Sequence, residues 1–167
     1  MKKWFSKKSN LVFLLLLIFA LYKQLPSIQN NFSQEKRSIS TRELRVFNSE
    51  TVASTSFPPE NTRAIAIFWA SWCGPCKVEM ARLKQSVQSG AIPKEKIYAI
   101  NPFESDTEIK NFLVENNYPF TFIEAASLPA TLGVRVTPTT LFIENGIITN
   151  MSSGLSILGI WKAEWFL

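Results

Sequence analysis

Apolar residues along this chain fall into blocks of different period, and each period predicts an element. Leu11 to Tyr22 runs for twelve residues without a charge. Ala64-Ile65-Ala66-Ile67-Phe68-Trp69-Ala70 is a second unbroken run, short enough for a strand buried on both faces. Directly after it, Cys76, Met80, Leu83 and Val87 recur at spacings of three and four. They form the inward stripe of a helix from Pro75 to about Ser89, with Gly90 as its stop. Lys96-Ile97-Tyr98-Ala99-Ile100 predicts another buried strand. Ser105-Asp106-Thr107-Glu108 is a capping box. It opens a helix whose inward residues are Ile109, Phe112 and Leu113 and whose end is Asn116-Asn117. Phe120 to Ile123 reads as a short strand, Leu128 to Leu132 as a short helix stopped by Gly133, and Leu141-Phe142-Ile143 as a further strand. Asn145-Gly146 predicts a tight hairpin turn into Ile147-Ile148, with Gly154 closing the return strand.

The two ends of this pattern are less regular. Leu155 to Leu167 puts Ile157, Leu158, Trp161 and Trp165 on one side of a helix, which predicts packing of that side against the sheet. An aromatic binding surface of Trp161, Trp165 and Phe166 is the other reading. Leu44-Arg45-Val46-Phe47 alternates as an edge strand does, whereas Thr51 to Asn61, with Pro58-Pro59, predicts a loop. Strands alternating with helices in this order predict an α/β domain with a central sheet between helices.

Charge divides the chain in two. Residues 1 to 45 carry a net +7 and residues 46 to 167 a net −2, so the overall +5 belongs to the N-terminal region. The folded part therefore lacks the basic bias of a nucleic-acid-binding domain, and no nucleic-acid partner is expected. Lys2, Lys3, Lys7 and Lys8 precede the apolar run at Leu11. A basic segment followed by an apolar one is an export signal whose lysines stay inside. Twelve residues fall short of the roughly 20 that span a bilayer. Ala20-Leu21-Tyr22-Lys23, however, offers no small-x-small cleavage site, and Lys23 can extend the span by snorkelling. The expectation is an uncleaved signal-anchor over residues 1–25, a polar tether over 26–43 and a domain over 44–167, held outside a bacterial cytoplasmic membrane.

Candidate chemistry sits where the first long strand meets its helix, in Trp72-Cys73-Gly74-Pro75-Cys76. These are the only two cysteines, and the chain has no histidine. A structural zinc site, which takes four Cys or His ligands, is thereby excluded. The first turn of a helix has unpaired N–H groups and a positive dipole end, so a thiolate there is stabilised. Pro75 suits that turn because its missing N–H has no helical partner anyway. Thiol–disulfide exchange is the reading this placement favours. A copper-carrying dithiol and an inert disulfide are the alternatives, although copper-carrying thiols normally sit in exposed loops, and a two-residue spacer makes a reducible ring rather than a staple. Glu79, three residues after Cys76, can lie beside that thiol, where a half-buried carboxyl group would have a raised pKa and could shuttle protons. A solvated glutamate near Lys77 or Arg82 is the other possibility for it.

The motif Trp72-Cys73-Gly74-Pro75-Cys76 resembles the active site of the thioredoxin superfamily. Residues from about Arg63 to Gly154 are similar to the membrane-anchored TlpA/ResA-like thiol–disulfide oxidoreductases. The resemblance implies a thioredoxin-like fold with a central mixed sheet, and a strand–helix–strand insertion after the first βαβ unit. It implies that Cys73, exposed at the helix start, attacks a substrate disulfide and that Cys76 resolves the mixed disulfide. A buried aspartate lies six residues before the first cysteine in thioredoxin; Ile67 stands there in this chain, and the resemblance assigns the proton-handling role to Glu79 instead. It makes Pro138 a cis-proline opposite the cysteines, leaves the backbone of Thr137 free to pair with substrate, and gives Trp72, Gly74 and Pro75 to the substrate-facing surface. The segment before the central strand is shorter than is usual in TlpA-like proteins. Protein disulfides, a membrane electron donor and no cofactor beyond the redox pair are implied. Family substrates include apocytochrome c and the copper-site cysteines of cytochrome oxidase. A disulfide-forming oxidase of the same fold uses the same parts in the opposite direction.

Overall fold

In a computed structural model, residues 11–19, 22, 36–47, 53–124, 128, 132, 134–156 and 159–167 are described. Their strands are β1 (Arg42–Val46), β2 (Ala53–Phe57), β3 (Arg63–Phe68), β4 (Ile97–Ile100), β5 (Thr121–Ile123), β6 (Thr139–Glu144) and β7 (Ile147–Ser153). The helices are α1 (Gly74–Gln88), α2 (Asp106–Glu115) and α3 (Gly159–Phe166). One mixed sheet runs in the order β2-β1-β5-β4-β3-β6-β7. The pairs β3–β4 and β4–β5 are parallel, and β3–β6, β6–β7, β1–β5 and β1–β2 are antiparallel.

Central position explains the unbroken apolar sequence of β3. Its neighbours on both sides are strands and its two faces are both covered, so Ala64 to Phe68 are all fully buried. One face packs against α1, α2 and α3 through Cys76, Met80, Leu83, Ile109, Phe112 and Ala163. The other is covered by Ile39, Phe57, Val134 and the helical residues Leu128 and Leu132. The predicted helix over 128–132 is described only at these two ends.

Local signals set the ends of the elements. Ser105 Oγ accepts from Glu108 N–H while Glu108 Oε2 accepts from Ser105 N–H, which closes the capping box of α2. Asn145 and Gly146 have φ of 51° and 74°, the left-handed pair that a two-residue hairpin requires. Gly90 ends α1 at φ 79°. The insertion is held by aromatics: Trp69 lies 4.7 Å from Phe112 and meets Phe122 edge-on at 5.4 Å.

Four expectations change. The strand at Leu44 to Phe47, expected at the edge, is β1 and lies inside the sheet between β2 and β5. Thr51 to Asn61 contains β2, which pairs with β1 from Arg42↔Phe57 to Val46↔Ala53. An edge strand needs only one buried anchor, here Phe57 at 1% exposure, so Ala-Ser-Thr-Ser carries no alternation to read. Residues 36–41, assigned to the tether, pack on the β6–β7 hairpin: Lys36 N–H donates to Ile148 O and Ile39 N–H to Gly146 O, each at 2.7 Å. The C-terminal helix begins at Gly159 and turns Trp161 and Trp165 outward, at 67% and 90% exposure. Its inward residues are Gly159, Ala163 and Phe166, the last edge-on to Phe142 at 5.3 Å. Small residues let this short helix approach closely, which the tryptophans would prevent. Ile157 and Leu158 lie outside the described residues.

Residues 11–19 are helical and exposed. Among the described residues no helix is long and apolar enough to cross a membrane. The rest of the expected signal-anchor and most of the tether lie outside the described residues.

Candidate active site

The cysteines occupy the start of α1, as their position after β3 predicts. Trp69 N–H still donates to Ile100 O at 3.0 Å, so the sheet holds the chain to within four residues of Cys73. A turn follows, closed by Cys73 N–H to Ala70 O at 3.1 Å. Cys73 is the N-cap of α1, and its Sγ accepts from Cys76 N–H at 3.2 Å. Cys73 and Cys76 are joined as a disulfide with Cα atoms 5.3 Å apart. Turning Sγ inward to cap the helix leaves Cys73 only 4% exposed, in place of the open position expected for it. Cys76 is fully buried, and Trp72 carries the exposed surface at 69%. Gly74 and Pro75 are exposed between the cysteines, and a Cβ on Gly74 would meet nothing within 4 Å.

The sheet brings a second segment to the same place. Phe68, the last residue of β3, pairs with Thr139, the first of β6. Pro138 therefore stands at the end of the sheet from which the cysteine turn emerges. It is buried, its peptide bond from Thr137 is cis, and its carbonyl accepts from Gly154 N–H at 2.7 Å. Thr139 Oγ1 donates to Val136 O at 2.7 Å, tying the loop around Thr137. Among the described residues the backbone N–H and carbonyl of Thr137 make no hydrogen bond, so both can serve an added strand.

Glu79 is 4% exposed, not a solvated helix residue. Its Oε2 is buried with no hydrogen-bond partner, and the nearest cation, Arg82 Nη1, is 3.6 Å away. That separation is an ion pair rather than a hydrogen bond. Burial raises its pKa above the usual glutamate range, and Arg82 opposes the shift in part. Glu79 lines a cavity of about 170 Å³ between α1, α3 and the β6–β7 pair, together with Asn150, Ser156, Gly159 and Lys162. A Cβ on Gly159 would sit 2.9 Å from Glu79 Oε1, so the glycine makes room for the acid. Nothing in the sequence pairs Glu79 with Gly159; α3 brings them together from 80 residues apart.

A further contact has no counterpart in the motif. Glu104, from the loop between β4 and α2, accepts from Ser71 N–H at 2.6 Å and from Ser71 Oγ. Asn101, itself buried, donates to the same carboxylate at 2.5 Å.

The family model described as the AhpC/TSA family matches residues 36–151. The chain belongs to the AhpC/TSA family. Among its relatives, the thiol:disulfide interchange protein DsbE of Pseudomonas fluorescens biotype C is 28% identical over 172 residues, covering 98% of this chain and 92% of that one. The thiol-disulfide oxidoreductase ResA of Bacillus cereus is 24% identical over 145 residues, covering 83% and 84%. Among solved structures, StoA from Bacillus subtilis superposes with a TM-score of 0.65 at 17% identity, over 78% of this chain and 98% of that one. The exposed lipoprotein thioredoxin of Streptococcus pneumoniae gives 0.64 at 20% identity, over 77% and 100%. These structural likenesses carry the thioredoxin-like fold. With the cysteine pair at disulfide distance on that fold, this AhpC/TSA-family chain is a thiol–disulfide oxidoreductase.

Proposed function

We propose that this chain reduces protein disulfides outside the cytoplasmic membrane, held there by an anchor at residues 1–25 and a tether. Support for the anchor is the apolar run 11–22 behind four lysines. The observation that carries the reductase reading is the pairing of a helix-capping Cys73 with a buried, resolving Cys76 and a buried acid three residues on.

In the reduced protein, Cys73 thiolate attacks one sulfur of a substrate disulfide. A Cys73–substrate disulfide forms and the other substrate sulfur leaves as thiolate, taking a proton from solvent. Glu79 accepts the proton of Cys76. The resulting Cys76 thiolate attacks Cys73 Sγ and forms the Cys73–Cys76 disulfide, and the second substrate sulfur leaves as a thiolate that takes a proton from solvent. Two electrons pass to the substrate, and a membrane dithiol donor returns them. Thr137 aligns the substrate backbone beside Pro138, and Trp72, Gly74 and Pro75 form the surface it meets. The cysteine pair carries both electrons, so the reaction uses no metal or organic cofactor. Exported proteins with paired cysteines, such as apocytochrome c or an oxidase copper-site subunit, are the proposed substrates.

A substrate trap tests this. The full chain with Cys76→Ser, expressed in its host, is expected to retain partners disulfide-linked to Cys73 on a non-reducing gel. A c-type apocytochrome or oxidase subunit supports the specific pathway, and many unrelated exported proteins support a general catalyst. Correct export with no adduct overturns the reductase reading in favour of a copper-handling dithiol or a redox-inactive membrane scaffold.

A further inference from the structure

The turn that delivers Cys73 is short and contains no regular structure of its own. It leaves β3 at Phe68, closes through Cys73 N–H to Ala70 O, and enters α1 at Gly74. Ser71 lies inside that turn with its N–H directed away from the closing bond. One side chain takes both of its donors: Glu104 Oε2 accepts from the backbone N–H at 2.6 Å, and Glu104 Oε1 from the hydroxyl. Asn101 holds the carboxylate from the other side at 2.5 Å, and its Oδ1 accepts from Phe103 N–H at 3.0 Å. Asn101 is 5% exposed and directly follows β4, so the clamp is built on the sheet.

Charged groups on the surrounding segments include Lys77, Glu79, Arg82 and Lys84 on α1, Asp106 and Glu108 in the first turn of α2, and Arg135 ahead of Pro138. Lys77 Nζ sits over the Phe112 ring at 5.8 Å. Among these charged groups and the described residues, Glu104 is the one whose side chain hydrogen-bonds to the turn.

We infer that Glu104 is a positioning residue for the reaction, holding the Ala70–Cys73 turn so that the Cys73 sulfur stays on the axis of α1. The consequence is chemical. Cys73 Sγ meets Cys76 N–H at 3.2 Å, and a thiolate at this N-cap is stabilised by that donor and by the helix end. Both effects fall off within one turn, so a loosened turn leaves the thiolate less stabilised. The charge of Glu104 acts in the opposite direction, because a carboxylate near a thiolate disfavours it. Losing the clamp and losing the charge therefore have opposite signs and can be separated.

The inference rests on Cys73 being the nucleophile, and the test checks that independently. Full-length protein with Cys76→Ser leaves Cys73 as the single thiol, whose rate of alkylation by iodoacetamide is followed against pH. In that background Glu104→Ala is expected to move the profile to higher pH, with alkylation at pH 7 about tenfold slower if the midpoint rises by about one pH unit. Glu104→Gln keeps an acceptor for Ser71 N–H and a donor for its hydroxyl, and is expected to rescue the rate to within about threefold of the parent. Ser71→Ala, which retains the backbone bond, should fall between them, and it carries the test if Glu104→Ala does not fold. A move to lower pH in both Glu104 variants, or profiles unchanged in all three, overturns the positioning role. A parent protein whose Cys73 resists alkylation throughout the range breaks the nucleophile reading instead.

Discussion

Replacing Glu79 by glutamine should change how stability depends on pH, with a sign that burial dictates. The native carboxyl group is 4% exposed, and Oε2 has no hydrogen-bond partner. Desolvation raises its pKa above the ordinary glutamate value. Native protein then holds this proton over a pH range in which the unfolded chain has lost it. Below the ordinary value both states are protonated and the contribution is fully present. As pH rises through the raised native value it is lost, because the native state binds more protons than the unfolded one. A buried polar group left without a partner costs about 1–3 kcal/mol, and a charged one more. Arg82, a third exposed and 3.6 Å away, returns only a screened part of that. A net loss of about 1–2 kcal/mol is expected between the acid and neutral limits, or a few degrees in Tm for a chain of this size. Urea unfolding of the oxidised protein and of Glu79→Gln between pH 4 and 8 measures it. Glutamine adds a constant offset, since its amide must also be satisfied, but removes the slope. Groups common to both proteins cancel in the difference. Wild-type stability should fall relative to the variant as pH rises. Parallel curves, or a difference of the opposite slope, would show that Glu79 is not a buried acid and would remove the basis for its proton-handling role.

Two further substitutions probe the scaffold around the site. Gly159→Ala places a methyl group 2.8 Å from Ser156 Cβ and 2.9 Å from Glu79 Oε1, an overpacking cost of about 1–3 kcal/mol against a gain in helix propensity of up to about 1 kcal/mol. A lower urea midpoint is expected, and an unchanged or raised one would mean that α3 and Glu79 do not meet as described. Ser105→Ala removes the capping box of α2 and should destabilise the chain by about 1 kcal/mol, read from the same unfolding curve; no change would mean the box contributes nothing in this fold.

Much of the site was legible because its signals are local. Cys73 and Cys76 announce themselves by spacing and by their place between an apolar strand and a helix, and helix-end electrostatics follow from that place alone. Ser105 with Glu108, and Asn145 with Gly146, are likewise contacts among near neighbours whose geometry the residue types specify. The edge strand β2 escaped such reading because its one anchor, Phe57, leaves no alternation. The C-terminal helix was misread because two apolar stripes compete on it. The larger, through Trp161 and Trp165, faces outward, since close approach to the sheet favours Gly159 and Ala163.

Sequence alone determined that this chain carries a dithiol at a helix start in an alternating α/β domain, because period and spacing act over a few residues. Tertiary structure decided the environment of that dithiol. Register between β3 and β6 brings Pro138 to the cysteine end of the sheet. Glu79 became a buried acid only when α3 closed over it, and Glu104 reached Ser71 across 33 residues. Spacing from Cys76 suggested a half-buried Glu79, but its fit against Gly159 and the Glu104–Ser71 bond depend on where the whole chain packs, and no local pattern encodes them.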